Sequence, residues 1–206
     1  MRSKILLLIF LLLFVTIAMT RTSKAALPYF SLDPISPEIP EPGQTFQVNI
    51  TINGVTNLWA WKVNFTWNPN VLNVTEVEEG PFLSSQASPT AFVVSPYDWT
   101  KGCIPEISCG SIKVPAKTAT GSGVAAILTV KALAVGYSNM NMTDTIMIGP
   151  PPTMPNIAHE VISGEATVIP EFSASTILPL FLIITATATI LAKMFTKKRQ
   201  NHIKIP

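Results

Sequence analysis

Apolar and polar residues alternate through much of the region 26–170, and this period of two limits the fold more than any other feature. In residues 58–67 every second residue is aromatic or valine, and polar residues such as Asn64 stand between them. Residues 45–52 repeat the pattern with aliphatic side chains. Such alternation predicts strands with one buried face. No window of 26–170 has a sustained helical period.

The remaining apolar runs extend this interpretation. Further strands are predicted at residues 91–97, 111–117, 123–135, 138–143, 145–148 and 160–169. The run 124–135 is apolar on both faces apart from Thr129 and Lys131, which predicts a central strand. Several short strands with Pro- and Gly-rich connectors and no helices between them predict an all-β fold, an antiparallel β-sandwich.

The N-terminus resembles an export signal. Residues 5–18 are apolar and follow Arg2 and Lys4, and small residues stand at Ser23 and Ala25. This order is typical of a secretory signal peptide, here a signal helix over residues 1–25 that is cleaved after Ala25. The alternative is an uncleaved anchor, although a bilayer span takes about 20 helical residues.

A second apolar stretch, residues 175–194, carries no charge before Lys193 and is long enough to cross a bilayer as one transmembrane helix. The tail 195–206 is basic, and the positive-inside rule keeps such an end in the cytoplasm. The sequence therefore predicts a single-pass protein of the cell membrane with its domain, residues 26–169, outside the cell.

The charge of the predicted ectodomain excludes one class of partner. Residues 26–171 hold five lysines against all twelve acidic residues, which gives a net charge of −7, whereas the whole chain is at +2. Phosphate binding needs clustered Lys and Arg, so nucleic acid is not expected as a partner.

Two features fit an exported protein. Cys103 and Cys109 are the only cysteines, and in an oxidising compartment they are expected to form a disulfide; a metal site is the alternative.

Four Asn-x-Ser/Thr sequons are candidates for N-glycosylation. Each asparagine stands on the polar side of the alternation, where a glycan reaches solvent. They are Asn49, Asn64, Asn73 and Asn141.

Three segments, taken in order, resemble a cohesin domain, the β-sandwich module that binds dockerins. Residues 42–50 are similar to the first long strand of the family, which a Pro-Gly turn opens. Residues 67–72, Trp-Asn-Pro-Asn-Val-Leu, resemble its aromatic-Asp-Pro corner, with Asn68 in place of the usual Asp. Residues 123–132 resemble its late core strand. The resemblance implies a jelly-roll sandwich that acts by binding, without catalysis or cofactor. Carbohydrate-binding modules share the sandwich, so a polysaccharide ligand stays open.

The region before the predicted span carries a second resemblance. Residues 170–174 begin with Pro170, Glu171 and Phe172, and they are followed by an apolar span and a basic cluster. This order resembles the Pro-Glu-Phe sorting signal of archaeal surface proteins, which implies an archaeosortase as a processing partner. The alternative is a stop-transfer anchor that is never cut.

Catalytic constellations are weak. His159 is the one histidine outside the tail, so no Ser-His-Asp relay is visible. Glu76, Glu78 and Glu79 form the densest acidic cluster, for which a solvated strand end is favoured over a hydrolase or calcium site. We therefore expect no enzyme activity, no cofactor and no metal.

The predicted activity is recognition of an extracellular protein, dockerin-like, or of a polysaccharide. Tyr97, Asp98 and Trp99 lie in a predicted connection rather than on an alternating strand, and they are the candidate ligand-binding residues. The alternative for these aromatic residues is packing onto the edge of the core. The alternative for the whole protein is a glycosylated spacer of the cell envelope.

Overall fold

The structure is a computed structural model that describes residues 26–39, 41–170, 179, 181–191 and 193. The predicted signal peptide, Glu171 and Phe172 of the sorting motif, part of the predicted span and the whole basic tail 195–206 lie outside the described residues. Residues 181–191 are helical. Within the described part of the chain, no helix meets the length and hydropathy that a membrane span requires.

The domain is built from eleven strands and one short helix. In chain order they are β1 (Tyr29–Asp33), β2 (Glu38–Ile39), β3 (Thr45–Leu58), β4 (Ala60–Thr66), β5 (Leu72–Glu79), α1 (Pro81–Ala87), β6 (Thr90–Val94), β7 (Cys103–Ser111), β8 (Ala119–Ala132), β9 (Gly136–Ile148), β10 (Glu160–Ile162) and β11 (Gly164–Val168).

The strands form two sheets packed face to face. One has five strands in the order β10-β1-β3-β8-β5, and the other has six in the order β2-β11-β9-β4-β7-β6. The prediction of a β-sandwich is therefore confirmed. Most neighbours are antiparallel, but β1 with β10 and β2 with β11 are parallel pairs, so the sandwich is not wholly antiparallel.

The core lies between the sheets and follows the predicted alternation. Trp61, Val63 and Phe65 of β4 are buried, and the polar residues between them face outward. Val48, Ile50 and Ile52 of β3 are buried in the opposite sheet. Because side chains alternate strictly along a strand, burying one set of residues fixes which set remains on the outer face.

The predicted central strand is confirmed, since β8 pairs with β3 on one side and with β5 on the other. Other parts of the prediction need correction. Residues 112–118 form a loop, and the strand of this region is β7, which contains both cysteines. Residues 160–169 form β10 and β11, which belong to different sheets. Helix α1 was not predicted.

Helix α1 is short and is placed by packing. Pro81 occupies its first turn, where the missing backbone donor does no harm. Phe82, Leu83 and Ala87 are buried beneath it. The hydroxyl of Ser111 donates to the carbonyl of Ala87 at 2.7 Å, which satisfies an acceptor at the end of the helix. The helix thereby closes the sandwich beside β7 and β8.

Candidate binding face

Four adjacent strands, β9, β4, β7 and β6, present a continuous face to solvent, which we call the outer face. The pairing of these strands sets the residues side by side: Lys62 lies opposite both Ser108 and Ile146, and Thr66 lies opposite Asn141. All the outward side chains are exposed or half-buried. They include Ala91, Val93, Lys62, Asn64, Thr66, Glu106, Ser108, Tyr137, Asn139, Asn141 and Thr143.

The centre of the outer face is a polar network. Lys62 Nζ lies 3.7 Å from Glu106 Oε2, and the hydroxyl of Ser108 donates to Glu106 Oε1 at 2.8 Å. Both charged side chains are more than a third exposed, so this ion pair contributes at most about 1 kcal/mol to stability. The face therefore offers ready hydrogen-bonding groups that a partner can engage without dismantling a buried structure.

A depression of about 330 Å³ lies at one end of the outer face. Thr66, Trp67, Asn68, Tyr137, Asn139 and Asn141 line it. Tyr137 is 49% exposed, and its hydroxyl donates to Glu165 of β11, a hydrogen bond that raises the pKa of Tyr137. The depression combines an aromatic ring with amide groups, which is the composition of a protein or sugar contact.

The corner at residues 67–72 forms the wall of this depression. The indole of Trp67 donates to the carbonyl of Leu72 at 3.0 Å, and Asn68 Oδ1 accepts from the backbone of Asn70 at 3.1 Å. Asn68 Nδ2 also donates to the carbonyl of Tyr137 at 3.3 Å. An aspartate at this position has no such donor. The asparagine therefore ties the corner to β9.

The connection between β6 and β7 contains the predicted ligand-binding residues. The rings of Tyr97 and Trp99 meet edge to face at 4.9 Å. Tyr97 is half-buried and packs on the core, whereas Trp99 is 47% exposed. Burial, and then the charge of Glu76, raise the pKa of Tyr97. The two aromatic residues therefore differ: Tyr97 packs on the edge of the core, and Trp99 faces solvent.

Asp98 is occupied by the turn itself. Its Oδ1 accepts hydrogen bonds from the backbone and hydroxyl of Thr100 and from the backbone of Lys101, and its Oδ2 lies 3.0 Å from Lys101 Nζ. The side chains of Thr100 and Lys101 lower the pKa of Asp98 to about 2. The carboxylate therefore holds the turn together.

The predicted disulfide between Cys103 and Cys109 is wrong, because both thiols are free and lie near opposite ends of β7. Cys103 pairs with Thr66 and Cys109 with Trp61, five residues apart on β4, so the α-carbons are roughly 16 Å apart at about 3.3 Å per residue. A disulfide requires α-carbons about 4–7 Å apart. The outer face therefore has a half-buried thiol at Cys103, 3.5 Å from Asn64 Oδ1.

The acidic cluster does not converge on one point. Glu76 and Glu78 are exposed, whereas Glu79 Oε1 accepts from the hydroxyl of Thr90 at 2.7 Å and from the thiol of Cys109 at 3.4 Å. Glu79 thus joins the two sheets. Among the described residues, no three His, Cys, Asp or Glu side chains come together in a way that would hold a metal ion.

His159 also has a local role. Its Nδ1 lies 2.7 Å from the carbonyl of Ile157, and its Nε2 lies 3.0 Å from the hydroxyl of Thr145. Its ring meets Phe30 edge to face at 5.4 Å. The histidine joins the segment before β10 to β9, and these contacts use both of its ring nitrogens.

The four sequons divide between the two outer surfaces of the sandwich. Asn64 and Asn141 lie on the outer face, and Asn49 and Asn73 lie on the five-stranded sheet. None of the four is buried, and each stands between buried neighbours, as the alternation predicts. On the outer face the two sequons interleave: Asn64 lies opposite Thr143, and Thr66 lies opposite Asn141.

The model of the cohesin domain family matches residues 36–149, which is more than half of the chain. The chain belongs to the cohesin family. This range includes the whole of β3 to β9, so it covers the outer face, the depression and the β6–β7 connection. No curated protein matches this cohesin in sequence.

Solved cohesin structures share the fold at low identity. A non-cellulosomal cohesin from Archaeoglobus fulgidus superposes with a TM-score of 0.55 at 14% identity over 70% of this chain and 92% of that chain. A cohesin from Pseudobacteroides cellulosolvens gives 0.58 at 17% identity over 72% and 96%. A scaffoldin cohesin from Acetivibrio cellulolyticus, solved with a dockerin, gives 0.59 at 12% identity over 70% and 100%.

Cohesin domains are non-catalytic modules for binding other proteins, and dockerins are the partners in the solved complexes. That places this cohesin among protein-binding modules. The family that the sequence resemblance predicted is confirmed. The sequence did not reveal the outer face, because the residues of that face come from four strands that are neighbours only in the folded sheet.

Proposed function

We propose that this cohesin is held on the outside of a cell membrane and captures another extracellular protein, of the dockerin type, on its outer face. The observation that carries the proposal is the depression between β4 and β9, where the exposed ring of Tyr137 adjoins the amides of Asn139 and Asn141. Exposed aromatic residues beside hydrogen-bonding groups are the usual centres of protein interfaces.

The membrane anchor is supported by the composition of the C-terminal region. The described helical residues 181–191 are apolar apart from three threonines. The hydroxyls of Thr185, Thr187 and Thr189 donate to carbonyls three and four residues earlier, at 2.8–3.0 Å. Hydroxyls satisfied within their own helix are compatible with lipid, where unpaired polar groups are costly. The basic residues that follow favour a cytoplasmic C-terminus.

The docking proposal is tested by a capture experiment. The immobilised domain is exposed to a panel of dockerin-bearing proteins and to extracellular proteins of the source cells, and bound proteins are identified by mass spectrometry. Asn139→Arg and Asn141→Arg place a bulky charge on exposed positions of the outer face. We expect each substitution to weaken capture at least tenfold, because a buried unpaired charge opposes docking.

The matched control is Gln47→Arg, an exposed position on the outer surface of the five-stranded sheet. If Gln47→Arg abolishes capture and Asn141→Arg leaves it intact, the docking surface lies on the five-stranded sheet instead. A polysaccharide ligand is tested with the same three variants on a glycan array. Specific retention of a glycan there, with no protein captured, would replace the protein partner by a sugar.

The second candidate function is a glycosylated spacer of the cell envelope. The observation that favours it is the pair of sequons on the outer face, since glycans at Asn64 or Asn141 would cover the depression.

Processing of the tail by an archaeosortase at Pro170, Glu171 and Phe172 is a separate proposal. Mass spectrometry of the mature C-terminus tests it, because cleavage removes the basic tail.

A further inference from the structure

The end of the sandwich from which the chain runs toward the predicted membrane span is built from two connections and the last residues of β11. Strand β11 runs toward this end, where Val168 pairs with Gly136, and the backbone N–H of Ile169 donates to the carbonyl of Ile39 at 2.9 Å. The turn between β8 and β9 and the connection between β6 and β7 lie at the same end. We call this surface the exit end; it comprises Trp99, Lys101, Leu133, Val135 and Ile169.

The corner at residues 67–71 joins these connections into one surface. The N–H of Leu133 donates to the carbonyl of Val71 at 2.8 Å, and the N–H of Trp67 donates to the carbonyl of Gly102 at 2.8 Å. The β8–β9 turn and the β6–β7 connection are therefore both tied to the same short segment. Large apolar side chains on the two turns share one end of the domain.

The exit end exposes apolar and aromatic groups beside lysine. Trp99 is 47% exposed, Leu133 45%, Val135 51% and Ile169 40%. The side chain of Lys101 is 79% exposed, and its partner Asp98 is the one acid between β6 and β7. Lys131 and Glu41 also lie at this end. Trp, aliphatic side chains and flexible lysines are the residues that sit at the boundary between lipid and water.

The length of the connecting chain fixes what lies next to this surface. Pro170 is five residues before Ser175, where the predicted span begins, and a fully extended chain reaches at most roughly 18 Å over that distance. The headgroup layer alone takes about 5–8 Å on each side of the hydrocarbon core. The exit end therefore stays within about 10–13 Å of the headgroups even when the connection is fully stretched.

We propose that the exit end rests in the headgroup layer of the membrane that anchors the chain, with Trp99, Leu133 and Val135 as the inserted side chains. This inference rests on the proposed membrane anchor. It assigns Trp99 to a lipid surface rather than to a soluble ligand. It also sets the strands upright on the bilayer, so that the outer face points sideways. The depression, whose wall is the corner at residues 67–72, then lies at the membrane end of that face, and a second extracellular protein approaches it from the side.

The test uses the full chain reconstituted in phosphatidylcholine vesicles. The acyl chains carry bromine near the headgroup, which quenches nearby tryptophan. The chain has four tryptophans, and the other three, Trp59, Trp61 and Trp67, are buried or half-buried. We expect brominated lipid to remove part of the fluorescence of the wild-type protein, and we expect Trp99→Phe to abolish that quenchable part. The double variant Leu133→Asp with Val135→Asp should reduce the quenching at least threefold.

The matched control is Val114→Asp, because Val114 is 89% exposed in the loop at the opposite end of the sandwich. This variant should quench as the wild type does. Flotation of each variant with the vesicles reports the anchor separately. Wild-type protein that fails to float would refute the anchor. If the protein floats but the fluorescence of Trp99 is not quenched, the assignment of the exit end to lipid is overturned. It is also overturned if Trp99→Ala weakens capture of a soluble protein.

Discussion

The buried thiol of Cys109 makes the stability of the domain depend on pH in the alkaline range. Burial, followed by the charge and the hydrogen bond of Glu79, raises the pKa of Cys109 from its ordinary 9.0 to about 12. The side chain is only 2% exposed, and its thiol donates to Glu79 Oε1 at 3.4 Å. Ionising this thiol in the folded protein would place a second negative charge beside that carboxylate without hydration.

The sign and size of the effect follow from the two pKa values. The unfolded chain releases the thiol proton near pH 9, whereas the folded domain keeps it until about pH 12. The stability that the protonated thiol confers is complete below the unfolded pKa, and it is lost as pH rises toward the folded pKa. Well above the unfolded pKa the slope approaches about 1.4 kcal/mol per pH unit; because the thiol of the unfolded chain only begins to ionise near pH 8, the loss between pH 8 and pH 10 is about 1.3 kcal/mol.

The measurement is urea unfolding of residues 26–170 at pH 8, 9 and 10, with a reductant present. Tyrosines, lysines and the other thiol also titrate in alkali, so the informative quantity is the difference between wild type and Cys109→Ala. We expect the wild type to lose about 1.3 kcal/mol more than Cys109→Ala does over this range. Cys103→Ala is the control and should retain the wild-type slope. Equal slopes for wild type and Cys109→Ala would refute the reasoning.

Three further predictions concern the fold. Phe65→Ala should lower the free energy of unfolding by about 3–5 kcal/mol in urea titrations, because Phe65 is fully buried against Trp67. Its control is Lys62→Ala, on the outward side of the same strand, which should cost less than about 1 kcal/mol. Gly102→Ala should lower stability by at least about 1–3 kcal/mol, because φ is +62° and a Cβ would lie 2.3 Å from the carbonyl oxygen of Trp67. Alkylation of the unfolded chain without reductant, read by mass spectrometry, should label both cysteines; labelling of neither would restore the disulfide.

The alternation predicted the core because it is a local signal with a structural consequence. Once Val63 and Phe65 point inward, Asn64 must point outward, and no distant contact is needed to decide this. The same logic placed all four sequon asparagines correctly. It also held for β3, although that strand extends further than predicted, to Leu58.

Strand β7 was missed because its sequence lacks the local signal. It contains Pro105, which favours a connection, but Pro105 stands where the pairing with β4 shifts between Val63 and Phe65. Such an irregularity tolerates a residue with no N–H to donate. Helix α1 has seven residues, too few to be stable by propensity, and is held by the burial of Phe82 and Leu83. Both depend on contacts between distant parts of the chain.

The disulfide prediction failed for the same reason. A separation of six residues in sequence is compatible with a small closed loop or with one extended strand, and only the pairing with β4 distinguishes the two. The outer face likewise could not be predicted from the sequence. Thr66, Asn141 and Cys103 become neighbours through the order β9-β4-β7, which no local pattern encodes.

The two proposed functions of the outer face make opposite predictions about glycan occupancy. Asn64 is diagonal to Asn141 on neighbouring strands, at a separation of about 7–8 Å, so a glycan on either covers the depression. Asn49 and Asn73, on the five-stranded sheet, do not compete with a partner on the outer face. If the outer face docks a protein, glycopeptide mass spectrometry of the native protein should find glycans only at Asn49 and Asn73. Full occupancy at Asn141 would close the docking surface and favour the envelope spacer.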